Sequence, residues 1–222
     1  MDEVSRIRGR VTSRDGTPVA YERYGDGGGP PLVLVAGARG TAESGRPLAG
    51  LLARHFSVVV YDRRERGPYA VEREIEDLAA VLAAAGPGAA VHGTGTGGAL
   101  ALAAAAAGLP VEAVSVYEPP AHEPYAREGG PWPRASARAA RAAVQTTHAP
   151  AYGLAGVRAR VLVVDGGASP AEVRRAARAL AAALPRARHR TLTGQTHEVA
   201  PHVLAPVLEG FFSGERETAG IP

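Results

Sequence analysis

Short, almost wholly apolar runs recur along this chain and alternate with segments of helical periodicity. That alternation restricts the fold more than any other feature. LVLVAG (32–37) and SVVVYD (57–62) read as strands covered on both faces. Residues 45–54 between them read as a helix. VEREIEDLAAVLAAAG (71–86) places Val71, Ile75, Leu78, Val81 and Leu82 on one helical face, with Gly86 as its stop. The pattern continues with a strand at 89–92, a helix at 97–107 and a strand at 111–117. It resumes with ARVLVVDGG (159–167), a helix at 170–184, a strand at 187–192 and a helix at 202–212. Residues 5–12 and 18–24 precede all of this as a hairpin turning at Asp15-Gly16. Together these elements predict an α/β fold: a mainly parallel sheet opened by an antiparallel hairpin, with helices on both faces.

The break falls at 119–156, rich in Pro, Ala, Arg and His, with a helical stretch only at 134–147. It reads as an insertion into a single domain spanning 1–222, and residues 213–222 read as a loose tail. A chain of 222 residues suits one such domain and can bury roughly 70% of its unfolded surface. Its basic side chains are all arginine, scattered among the acids, and the formal net charge is only +3. Nucleic-acid binders cluster their charge, so this distribution argues against such a partner. There is no cysteine, which removes disulfides and thiolate chemistry. MDEVSRIRGR lacks the apolar core of a signal peptide, and the apolar stretch 99–107 stops at Gly108-Leu109-Pro110. The expectation is a cytoplasmic protein with no membrane partner.

VHGTGTGGAL (91–100) is the stretch with chemistry in it, and it admits two readings. Gly93, Gly95 and Gly98 satisfy the dinucleotide fingerprint G-x-G-x-x-G, and Glu118 stands twenty residues beyond Gly98, where a ribose-binding acid belongs. Against a nucleotide cofactor, a hairpin and two strand–helix units precede the motif, and three spaced glycines come easily in a chain with 28 of them. The second reading is a nucleophile elbow, G-x-S-x-G, in which Gly95 takes the serine's place.

The order of segments resembles the α/β-hydrolase family over nearly the whole chain. DGTPVAYERYG (15–25) resembles its opening hairpin, LVLVAGA (32–38) its strand to the oxyanion loop, and VVVYDRRERG (58–67) its next strand and turn. VHGTGTGGALALAAA (91–105) resembles the elbow and its helix, RVLVVDGGASP (160–170) the strand that often bears the acid, and GQTHEV (194–199) the segment with the catalytic histidine. The resemblance implies His197 as general base and an oxyanion site built from the N–H groups of Ala38 and Thr96, with Arg39 alongside. It also implies a cap at 119–156, shorter than usual, with Trp132, Tyr125 and Tyr152 as its aromatic contacts.

Two departures from the family stand out. Gly95 has no side chain and cannot form an acyl-enzyme, and neither Thr94 nor Thr96 occupies the apex. Ser169 stands where the family often has its aspartate, leaving Glu118, or alternatively Asp165, to orient His197. Of the remaining histidines, His92 reads as packed on its strand, while His55, His189 and His202 read as surface positions. His122 and His148 fall in the insertion, and no spacing suggests a metal site. The expected partner is a small organic carbonyl or ester-type molecule, with no cofactor. It would be handled without covalent catalysis, by elimination, isomerisation, cyclisation or direct attack of water. The other reading is a pseudo-hydrolase that only binds.

Overall fold

The structure, a computed structural model, describes residues 5–37, 41–64, 70–120 and 153–214. Among these, the chain opens on β1 (Arg6–Thr12) and β2 (Pro18–Tyr24), an antiparallel hairpin whose Asp15 carboxylate accepts the Thr17 N–H. There follow β3 (Pro31–Val35), α1 (Ala42–Leu52), β4 (Ser57–Tyr61), α2 (Val71–Ala85), β5 (Ala90–Thr94), α3 (Thr96–Ala106) and β6 (Ala113–Tyr117). After one 3₁₀ turn at Leu154–Gly156 come β7 (Arg160–Gly166), α4 (Ala171–Ala183), β8 (Ala187–Leu192) and α5 (Pro201–Phe212).

The strands form one sheet in the order β1-β2-β4-β3-β5-β6-β7-β8. It is antiparallel across β1, β2 and β4 and parallel from β4 onward. The period of two decides which side chains face which layer. Val33, Val59, Val91, Val114 and Val163 join α2, α3 and α4 in one core. Their chain neighbours Leu32, Val58, Ala90, Ala113 and Leu162 join α1 and α5 in the other. The continuous apolar runs are therefore strands clothed on both faces, the arrangement a parallel sheet needs.

Element ends differ from the sequence reading by a few residues, with identifiable causes. The first helix begins at Ala42 rather than 45, because the Asp62 carboxylate at the end of β4 accepts the Ala42 N–H at 2.8 Å. That cap comes from a distant part of the chain, invisible to local periodicity. The strand expected at 89–92 continues through Gly93 to Thr94. Gly93 serves close packing there and not a turn. The 134–147 helix and the tail from 215 lie outside the described residues.

His92 is buried on β5 between Leu34 and Ser115 of the neighbouring strands, facing the layer of α1 and α5. Among the described residues neither ring nitrogen has a hydrogen-bond partner, and burial pushes its pKa down to about 4. The folded protein therefore holds this ring neutral, while the unfolded chain protonates it below its ordinary value of 6.5. Unfolding takes up a proton between those two values, so stability falls as pH drops through that window. The loss attributable to His92 should reach about 3 kcal/mol at the acid end. Urea denaturation of the wild type and His92→Leu across pH 4–7 measures it. The variant should lose most of the acid slope, and an unchanged slope would show that other groups carry it.

Candidate active site

Adjacent strands β3 and β5 send their following helices to opposite faces, α1 to one layer and α3 to the other. A crevice opens at such a switch point, beyond the carboxyl ends of the strands. The chain reaches that crevice at Gly95, which joins β5 to α3 with φ 53° and ψ −124°. A side chain on Gly97 would place its Cβ 2.2 Å from the Val35 carbonyl oxygen, and one on Gly93 would lie 2.4 Å from the Gly97 oxygen. Both glycines are required for α3 to start this close to β3 and β5. Gly95 is different. A Cβ there would meet, among the described residues, only the Cε1 and Nε2 atoms of His197, at 3.7 and 3.8 Å.

His197 arrives on the loop between β8 and α5, which is tied down at several points. The Tyr117 hydroxyl donates to the Thr196 carbonyl, and the Ala168 N–H donates to the Gln195 carbonyl at 2.9 Å. The Gln195 side chain accepts the Ala200 N–H at 3.0 Å, closing the loop onto the start of α5. Burial, chiefly, raises the Tyr117 pKa, so the phenol stays protonated and available as that donor.

The imidazole Nδ1 of His197 lies 2.9 Å from Glu118 Oε2, and the other Glu118 oxygen accepts the Gly166 N–H at 2.8 Å. A carboxylate only accepts, so an ionised Glu118 takes the Nδ1 hydrogen, and the Cε1–Nε2 edge of the ring is the one that faces Gly95. The Glu118 side chain is 1% exposed and that of His197 68%, so the acid is dry and the base meets solvent. Glu118 follows β6 directly with φ 40°, the left-handed region. A non-glycine residue held there costs about 1–3 kcal/mol, which its hydrogen bonds must offset.

Arg63, just beyond β4, braces the elbow from behind. Its Nε and Nη2 make a two-pronged pair with Glu74 of α2, both side chains buried. Its Nη1 donates to the Ala36 carbonyl at 3.1 Å and to Thr96 Oγ1 at 3.0 Å. One guanidinium thus joins the end of β3 to the first residue of α3, whose N–H heads the helix without an intrahelical acceptor. Neither Arg63 nor Glu74 stands out in the sequence, nor do Tyr117 and Gln195.

The other named residues fall as follows. Asp165 does not reach His197. Its Oδ2 meets His189 Nε2 at 2.7 Å, so His189 is a partnered, partly buried residue and not a free surface one. The cause is parity, because Asp165 shares the β7 face of Val161 and Val163, toward α4. Ser169 is buried at the turn into α4. Glu118, which the cofactor reading assigned to a ribose, is occupied by His197 and Gly166. Ala38, Arg39, His122, Tyr125, Trp132, His148 and Tyr152 lie outside the described residues. Among the described residues no group of three or more acids and histidines is placed to hold a metal ion, and no helix is long and apolar enough to cross a membrane.

The chain is 39% identical to an α/β hydrolase from Sphaerobacter thermophilus, over 92% of this chain and 100% of that one, with a TM-score of 0.76. It matches 2-hydroxy-6-oxo-6-phenylhexa-2,4-dienoate hydrolase from Rhodococcus sp. strain RHA1 at 18% identity, over 95% and 100% of the two chains, with a TM-score of 0.73. A serine hydrolase involved in carbazole degradation is 19% identical over 95% and 100% of the chains, again with a TM-score of 0.73. The last two likenesses are of fold. No protein-family model matches the sequence.

The Arg63–Glu74 pair yields a stability prediction. Arg63→Met or Glu74→Leu alone strands a buried charge and should cost about 3–5 kcal/mol. Combined, the two changes should cost clearly less than their sum. Chemical denaturation of the three variants closes the cycle, and additive losses would mean the pair is not coupled.

Proposed function

The chain belongs to the α/β-hydrolase family, and from that premise we propose that it acts on a small carbonyl or ester-type molecule by general-base chemistry, with no acyl-enzyme. Gly95 stands at the family's nucleophile position and offers no Oγ. What supports an active site there, and not merely a relic, is the joined pair of His197 and Glu118, with the imidazole turned toward Gly95. A decayed site would have no reason to keep a strained, buried glutamate in a left-handed conformation beneath an exposed histidine.

In this reading Glu118 is a positioning residue. It fixes the Nδ1–H tautomer and stabilises the imidazolium formed when Nε2 takes a proton. The Thr96 N–H, at the positive end of α3, and the Ala38 N–H receive the charge that develops on the substrate oxygen. Arg63 keeps the segments leading to these two donors at a constant spacing. No step needs a metal or an organic cofactor.

Three preparations test the proposal together. A fluorophosphonate probe should leave the wild type unmodified by mass spectrometry, since a general base alone does not capture it. Gly95→Ser should gain both a stoichiometric adduct and esterase turnover, because the base and the donors are already assembled. His197→Ala should lower wild-type turnover of a simple aryl ester by about a hundredfold or more without loss of folding. A labelled Thr94 or Thr96 in the wild type would overturn the absence of an acyl-enzyme. Unchanged turnover in His197→Ala would favour the binding-protein reading instead.

A further inference from the structure

Gly95 is not imposed by crowding as Gly93 and Gly97 are. Its absent Cβ would find ordinary van der Waals contact, and the only described atoms near it belong to the imidazole edge that carries the free lone pair. The space between the Gly95 backbone and His197 Nε2 therefore takes one small group. The Cβ position there lies 3.8 Å from Nε2 and beside the N-terminus of α3, so a polar atom set a few tenths of an ångström closer to the ring comes within hydrogen-bond reach. We propose that this space is the binding site for a second substrate, a small protic nucleophile such as water, a primary alcohol or hydroxylamine, which attacks the acyl carbon directly. The inference rests on His197 acting as a base, and it selects acyl transfer to an external nucleophile from among the reactions that a base supports.

The step balances without any other reactant. The nucleophile's oxygen or nitrogen bonds to the carbonyl carbon while its proton passes to His197 Nε2. The carbonyl electron pair moves onto the substrate oxygen, facing the Thr96 N–H. When that pair returns, the bond to the leaving group breaks, and the leaving group takes the proton back from the imidazolium. Glu118 stays ionised throughout. The protein is acylated at no stage, so nucleophile and leaving group are present together in one transition state.

That last property separates this route from a covalent one. An acyl-enzyme forgets its leaving group before the nucleophile arrives, so the ratio of products formed with water and with a competitor is the same for every donor. In direct transfer the ratio varies with the donor. The experiment uses the wild-type protein, a series of aryl acetates with leaving groups of graded acidity, and hydroxylamine or methanol in competition with water. Expected are His197-dependent release of the phenol, formation of acetohydroxamate or methyl acetate, and a product ratio that changes across the series. Acid-quenched samples should contain no acetylated protein.

Gly95→Ala supplies the control for the place itself. Its methyl would stand in the nucleophile's position, and the nucleophile-dependent rate should fall about a hundredfold, the general-base contribution being lost. Circular dichroism and the denaturation midpoint report whether the positive φ is tolerated. If Gly95→Ala does not fold, the leaving-group series in the wild type decides alone. A constant product ratio, or an acetyl group trapped on the protein, overturns direct transfer while leaving His197 as a base. Turnover that ignores His197→Ala in every aryl acetate overturns both this inference and the reading beneath it.

Discussion

A buried carboxylate must find partners or give up its charge, and Glu118 organises the functional end of the sheet by meeting that demand. It sits beyond β6, takes the N–H of Gly166 at the end of β7, and holds His197 from the loop after β8. Three consecutive strands of the sheet's second half are thereby tied at their carboxyl ends by one side chain. The hydrogen bond from the Glu118 N–H to the Val164 carbonyl, at 2.9 Å, fixes the backbone that bears it. The left-handed φ at this residue is the conformational cost, set against the hydrogen bonds that its backbone and carboxylate make there.

On the other side of the crevice Arg63 plays the matching part with opposite charge. It too is buried and doubly paired, and it too uses its remaining donor on backbone and side-chain oxygens that delimit the elbow. Burying a guanidinium gains little net stability, because desolvation consumes most of the Coulombic attraction. Its service is geometric, since the planar fork specifies where Ala36, Thr96 and Glu74 stand relative to one another. The salt bridges near the sheet's first edge differ. There Arg46, with smaller help from the Tyr24 hydroxyl and Arg8, holds the Glu22 pKa down to about 2, in a charge cluster at the hairpin that is separate from His197.

The sheet and its helices were legible because they obey burial. A strand covered on both faces must be apolar throughout, and LVLV, SVVVY and RVLVV carry that requirement in their letters. The order of segments singles out Glu118 and His197, and the structure brings the two side chains together from the end of β6 and the loop after β8. Arg63 and Glu74 were not legible. Glu74 is one of several acids in VEREIED, and a helix read alone assigns all of them to solvent. Only the packing of the helix on the sheet shows that Glu74, like Asp77, is buried. Asp165 could have been set aside earlier by counting. Alternation along β7 puts it on the face of Val161 and Val163, where β8 offers His189.

The contrast between a dry acid and a wet base has a chemical consequence. Charge interactions strengthen as the local dielectric falls, so the buried Glu118 carboxylate acts on the inner nitrogen of His197 more strongly than it would in water. In the proposed reaction an imidazole placed this way gains from a fixed negative charge while it holds the nucleophile's proton, before the leaving group takes that proton back. In a serine enzyme that same arrangement hands its proton between two covalent steps. In the route proposed above, glycine at the apex leaves no acyl-enzyme between addition of the nucleophile and loss of the leaving group. On that proposal whatever His197 deprotonates must reach the crevice together with the substrate, and the exposure of its side chain leaves the way open.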